Sequence, residues 1–127
     1  MRLLLDTHAL IWWSGDRERL SPDTIRDIER ADTVFVSPVS AYEMELKFQN
    51  GKLPGVAALL PILVTYLRQM SFTVLPIELH HTSLAGKMPL RHRDPFDRIL
   101  IAQATLEDLT LVSNEELFES YGVRRRW

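Results

Sequence analysis

The run Leu3-Leu4-Leu5-Asp6 constrains the fold more than any other stretch of the chain. Successive side chains of a strand point to opposite faces, so consecutive leucines require that both faces be covered. A sheet with one wet face shows alternation; an unbroken apolar run belongs in a parallel sheet between two layers of helix. Asp6 closes the run and marks the carboxyl end of the strand.

The remaining chain supplies the covering helices. Thr7 to Trp13 reads as a short helix with Leu10 and Trp13 inward, broken by Ser14-Gly15-Asp16. Ser21-Pro22-Asp23 opens another, with Ser21 as N-cap and Pro22 at the first helical position, running to about Ala31. Thr33 to Val36 is a second strand, and Ser37-Pro38-Val39-Ser40 leads into a helix that carries Glu43 and Lys47 and stops at Asn50-Gly51. Val56 to Met70 is an apolar helical segment that Pro61 must either start or kink. Phe72 to Leu75 is a third strand, Glu78 to Lys87 a helix, Pro95 to about Glu107 a longer helix, and Thr110 to Ser113 a fourth strand. Glu115 to Tyr121 forms a short helix, and Val123 opens a last edge strand. This order predicts an α/β protein with three layers, α/β/α, around a central, mainly parallel sheet of four to five strands. No linker-like segment interrupts the 127 residues, so one domain over 1–127 is expected.

Composition narrows the chemistry. There is no cysteine, which excludes disulfides and thiolate metal sites and points any metal toward oxygen or imidazole ligands, hence a hard cation. Apolar runs such as Val56 to Tyr66 are too short and proline-broken to span a bilayer, and Asp6 interrupts signal-peptide character; a cytoplasmic protein without a membrane partner is expected. The net charge of -2 conceals basic clusters at Arg91, His92, Arg93 and Arg98 and at Arg124 to Arg126, the latter read as a solvated tail.

Ligands of open α/β sheets bind beyond the carboxyl ends of the strands. Asp6 ends the first strand, and Asn114-Glu115 follow the fourth. Glu43 lies early in the helix after strand two, and Asp94 and Asp97 begin the helix before strand four, so five acids have a route to one sheet edge. Two ionised carboxylates about 4 Å apart repel by ~4 kcal/mol at an effective dielectric near 20, so a gathering of them calls for a cation. Mg²⁺ or Mn²⁺ suits an all-oxygen donor set and serves phosphodiester hydrolysis by activating water and offsetting charge on the phosphoryl oxygens.

Each acid alone also has a structural reading. Asp6 suits an N-cap; Asp94-Pro95-Phe96-Asp97 is a capping arrangement; Glu43 pairs with Lys47 at i+4; Glu115 complements a helix dipole. His80 and His81 read as surface residues of a polar helix face, and Trp12, Trp13, Phe48, Phe72 and Phe96 as core.

Four ordered motifs, spread over essentially the whole chain, carry a resemblance. Leu3 to Trp13, Ser37 to Met44 with Lys47 and Gly51-Lys52-Leu53, His92 to Ala104, and Leu111 to Glu115 closely resemble the PIN-domain ribonucleases, and among them the VapC-type toxins of bacterial toxin-antitoxin pairs. The resemblance implies a metal-dependent endoribonuclease whose acidic cluster holds Mg²⁺ or Mn²⁺. Asp6, Glu43 and Asp97 match the family's first three acids and are the implied metal ligands. Asp94 belongs to the Arg-Asp-Pro-Phe-Asp signature and supports the site or caps the helix. Glu115 stands where the family usually has aspartate, a departure that adds a methylene and leaves direct and water-mediated roles both open. Thr7, Arg93, Arg98, Ser113 and Asn114 are the candidates for holding RNA phosphates or the attacking water. The resemblance further implies a homodimer and a cognate antitoxin that covers the acidic pocket.

Two other classes compete. A receiver-like Mg²⁺-binding signalling module shares the architecture but needs an acidic pair after the first strand, an aspartate after the third and a lysine after the last; only Asp6, Pro76-Ile77 and no lysine beyond Lys87 are present. A catalytically silent PIN-fold interaction domain is the other, favoured by Glu115.

Overall fold

The computed structural model describes residues 1–127. Strands β1 (Arg2–Leu5), β2 (Thr33–Val36), β3 (Thr73–Val74), β4 (Thr110–Val112) and β5 (Arg125–Arg126) form one parallel sheet in the order β3-β2-β1-β4-β5. Helices α1 (Thr7–Gly15), α2 (Pro22–Arg30), α3 (Pro38–Gln49), α4 (Leu63–Gln69), α5 (Leu79–Lys87) and α6 (Pro95–Leu106) cover it, giving the three layers expected.

The leucine run explains how. Leu3 and Leu5 enter one core with Leu10, Trp13 and Met44, while Leu4 enters the other with Leu100, Ile101, Leu111 and Phe118. All three leucines are fully buried, and at about 1.5–3 kcal/mol for each buried leucine side chain the two cores fix which residue faces which layer. A slip of one residue would exchange the faces of the whole strand. The observed register instead places Leu5 beside Val36 on one side and Val112 on the other.

Helix starts follow the local chemistry. Ser21 caps α2 through the Thr24 N–H, Ser37 caps α3 through the Val39 N–H, and proline follows each cap at the first helical position. The segment 56–70 departs from one continuous helix. Short 3₁₀ turns at Pro54–Val56 and Leu60–Ile62 precede α4, because Pro61 lacks an N–H and cannot sit inside a helix. Arg124 to Arg126 also depart from expectation: they are no free tail, since Arg125 and Arg126 form β5 and the three guanidinium groups pair with Asp108, Glu119 and Asp27. An edge strand of arginines is shielded from further pairing by its charge. No single helix is long and apolar enough to cross a membrane.

Candidate active site

The chain runs from β1 outward to β2 and β3, then returns to the other side of β1 for β4 and β5. The reversal opens a crevice beyond the carboxyl ends of β1 and β4, the position where open α/β sheets bind ligands. A cavity of about 210 Å³ lies there, walled by Asp6, Glu43, Asp94, Asp97, Asn114 and Glu115, with Lys47, His8 and Phe118 completing it. All five predicted acids reach one cavity.

Each acid is fixed differently. Asp6 leaves β1 with its N–H donated to the Val112 carbonyl (3.0 Å), and its Oδ1 accepts the Ala9 N–H at 2.7 Å, so it caps α1 while facing the cavity. Beneath it, the fully buried Ser113 hydroxyl hydrogen-bonds the Asp6 carboxylate and accepts the Glu115 N–H at 3.0 Å. Glu43, buried on α3, accepts from Thr7 Oγ1 at 2.6 Å through Oε1 and pairs with Lys47 through Oε2. Asp94 Oδ1 caps α6, accepting the N–H groups of Phe96 (2.9 Å) and Asp97 (3.3 Å). Asp97, one turn further in, meets His92 Nε2 at 2.6 Å through Oδ2. Glu115 is exposed at the rim, its Oε1 accepting the Leu117 N–H at 3.3 Å.

Electrostatics express the crowding. Burial pushes the Asp6 carboxyl up to about 6; the Ser113 and Ala9 hydrogen bonds oppose this, and the charges of Glu43 and Glu115 add to it. Burial likewise pushes Asp97 up to about 6, against the His92 hydrogen bond and with Asp94 and Glu43 adding. Partial burial pulls the Lys47 ammonium down, but Glu43, Asp94 and Asp97 raise it overall. Lys47 is a cation expected from the sequence as the i+4 partner of Glu43 and as part of the second motif, but not among the site residues. The signal was available: i+4 spacing puts it on the face of α3 that carries Glu43 into the cavity.

The expected substrate-contacting residues divide. Asn114 lines the cavity and is exposed. Thr7 and Ser113 are buried, with their hydroxyls committed to Glu43 and Asp6, so they position acids and do not face a substrate. Arg98 requires correction: it is buried, its guanidinium donates to backbone carbonyls, and it does not line the acidic cavity. Arg93 is exposed but lines a separate depression with Thr82 and Pro95.

His81 is a second correction. It is fully buried, not a surface residue, and lies at the far junction of α5 and α6. Its Nδ1 accepts the Glu78 N–H at 3.0 Å, and its Nε2 meets Glu107 Oε1 at 3.0 Å. With His80 these groups bring ligand-type atoms within 4.8 Å of one another, apart from the acidic cavity.

A doubly wound parallel sheet with a crevice rich in carboxylates at its switch point defines the class of this protein: an open, three-layer α/β domain with an acidic site at the strand ends. Within that class the chain belongs to the PIN domain family, whose profile matches residues 3–123. It is 27% identical over 122 residues to ribonuclease VapC22 of Mycobacterium tuberculosis, covering 94% of this chain and 91% of that one. Its fold is similar to that in VapBC2 from Rickettsia felis bound to a promoter DNA fragment (TM-score 0.74, 14% identity, 99% and 98% of the two chains covered). It is similar also to DNA-bound VapBC from Salmonella typhimurium (TM-score 0.70, 18% identity, 99% and 97% covered). The order β3-β2-β1-β4-β5, with Leu75-Pro76-Ile77 directly after β3, differs from the 2-1-3-4-5 order of receiver-like domains.

Proposed function

We propose that this protein is a Mg²⁺- or Mn²⁺-dependent endoribonuclease, the toxin of a toxin-antitoxin pair. The observation that carries this reading is the cavity itself, where two carboxyls are raised to about 6 among further acids and Lys47 is the compensating ammonium. Buried acids kept close enough to raise one another are costly to the fold, and a divalent cation removes that cost. The donors fit: all are hard oxygens, with no thiolate in the chain.

Asp6, Glu43 and Asp97 would hold the cation, with Asp94 and Glu115 at the rim. When bound, it supplies Lewis acidity, lowering the pKa of water and offsetting charge on the phosphoryl oxygens. Thr7 and Ser113 hold Glu43 and Asp6 in place, and Ser113 also ties Glu115 to the same assembly. Lys47 and Asn114 are the contacts for the RNA backbone, with Arg93 an outlying cation for the flanking strand. The whole chain then serves as one catalytic domain over 1–127, in the cytoplasm and as a homodimer. Solved structures of similar fold include a toxin-antitoxin complex from Klebsiella pneumoniae, which supports a cognate antitoxin as partner, and the acidic cavity is the surface it would cover.

Purified protein incubated with single-stranded RNA provides the test. Cleavage should require Mg²⁺ or Mn²⁺, stop with EDTA, and be lost in Asp6→Asn and Asp97→Asn. Full activity in both variants overturns the assignment, whereas Mn²⁺ binding without cleavage of any RNA supports the silent interaction domain.

A further inference from the structure

The loop before α6 is fastened more firmly than a short connection requires. Arg98 sends Nη1 to the carbonyls of Pro89 (3.0 Å) and His92 (2.9 Å) and Nη2 to those of Ala85 and Met88 (2.7 Å each). A guanidinium has five donors and no acceptor, and this ring of carbonyls takes the four on Nη1 and Nη2 without using an acid of the cavity. From the other side, Tyr121 Oη accepts the His92 N–H at 2.8 Å and donates to the Pro89 carbonyl at 2.8 Å. His92 is therefore held at both its N–H and its carbonyl. Its ring meets Phe118, a wall of the cavity, edge-on at 5.5 Å, and its Nε2 lies 2.6 Å from Asp97 Oδ2.

We propose that His92 is a positioning residue whose Nε2–H, aimed by the Arg98–Tyr121 clamp, fixes Asp97 Oδ2 and leaves Oδ1 to meet the divalent cation. The inference rests on the metal reading of the cavity given above. A carboxylate turns through a broad torsional well about its terminal bond, so an unheld Asp97 samples many orientations. A donor fixed on one oxygen restricts that turn, and outer partners of this kind are typically worth about 10–100-fold in metal affinity. The same contact selects the Nε2–H tautomer of the imidazole. The clamp thus connects the backbone of residues 85–92 to the aim of one ligand, and the buried Arg98 acts on the cation through two intervening residues, His92 and Asp97.

Calorimetric titration of the metal-free protein with Mn²⁺ tests the inference in the wild type, His92→Phe and His92→Gln. His92→Phe keeps a ring against Phe118 and removes the donor; His92→Gln returns an amide N–H near the position of Nε2. Affinity should fall about 10–100-fold in His92→Phe and largely return in His92→Gln. Wild-type affinity in His92→Phe overturns the proposal, as does equal weakening of both variants. A ring needed for packing alone predicts the reverse order, with His92→Gln the weaker binder, and that order also overturns it. Absence of Mn²⁺ binding by the wild type overturns the metal reading itself and this inference with it.

Discussion

The acidic cavity and the α5–α6 junction are made of the same side chains and come out opposite. Each places an imidazole within 3.0 Å of a carboxylate. At the junction, His81 accepts one N–H and faces one carboxylate, and Glu107 is itself the C-cap of α6, so the pair ties one helix start to one helix end. In the cavity, hydrogen bonds from Ala9, Ser113 and His92 reach Asp6 and Asp97 and still leave both carboxyls raised to about 6. Proximity of histidine and acid therefore does not define a site. What separates the two regions is whether the charges there are balanced by the fold or left for something else to balance.

The largest expected effects come from breaking this contrast at its two ends. Asp6→Asn should lower RNA cleavage by roughly 10³-fold or more, since it removes a charged ligand. The same change should stabilise the metal-free protein at pH 7.5 by about 1–3 kcal/mol, because asparagine is neutral and keeps the acceptor for Ala9. His81→Ala should do the reverse. It orphans the Glu78 N–H and empties a fully buried site, costing about 2–4 kcal/mol, with Mn²⁺ affinity unchanged. Chemical denaturation with parallel Mn²⁺ titration measures both; a destabilised Asp6→Asn variant or a metal-blind His81→Ala variant would erase the distinction.

The next effect is the pH dependence of the metal-free protein. Asp6 and Asp97 titrate near 6 when folded and near their ordinary 3.8 when unfolded. Between about 4 and 6 the folded state therefore holds more protons, and stability falls as pH rises through that window, levelling off above it. A shift of about two units corresponds to roughly 2–3 kcal/mol for Asp6. Mn²⁺ should act in the opposite sense, raising the unfolding temperature at pH 7.5 far more than at pH 5. Asp32, held below its ordinary value by the N-terminal ammonium, acts in the opposite sense, so the wild type is compared with Asp6→Asn from pH 4 to 7; a wild type that loses no stability relative to that variant would contradict the raised carboxyl of the cavity.

Much of this was legible in the residues. Leu3-Leu4-Leu5 required two covered faces, the Ser-Pro pairs and Asp94-Pro95 marked helix starts, and strand order carried five acids to one crevice. The failures share a cause: pattern names an element and its face more readily than it resolves neighbouring positions. Asp97 and Arg98 differ by one step of about 100° on α6, enough to send one into the cavity and the other into a ring of carbonyls. His80 and His81 differ by the same step, and only one is buried. The last edge strand expected from Val123 forms two residues later, but the arginines of β5 carried no apolar alternation to show that they pair beside Leu111 and Val112 instead of forming a solvated tail.

The smallest effect gives the finest test of the comparison. His80 is half-exposed, with Nδ1 3.6 Å from Glu78 and Nε2 3.7 Å from Glu107, both beyond hydrogen-bond distance. Exposed pairs of this sort contribute little, so His80→Ala should change stability by less than about 0.5 kcal/mol. Zn²⁺ sharpens the point, because His80, His81 and Glu107 are close enough to attract it on distance alone. Yet the Nδ1 of His81 already accepts the Glu78 N–H, which puts the ring proton on Nε2 and points it at Glu107. A metal at Nε2 would have to strip that proton while the other nitrogen stays engaged as an acceptor. Zn²⁺ should therefore shift the unfolding temperature of the wild type and of His80→Ala equally. A Zn²⁺-dependent rise in the wild type that His80→Ala abolishes would mean that the junction, too, is left for a cation to balance.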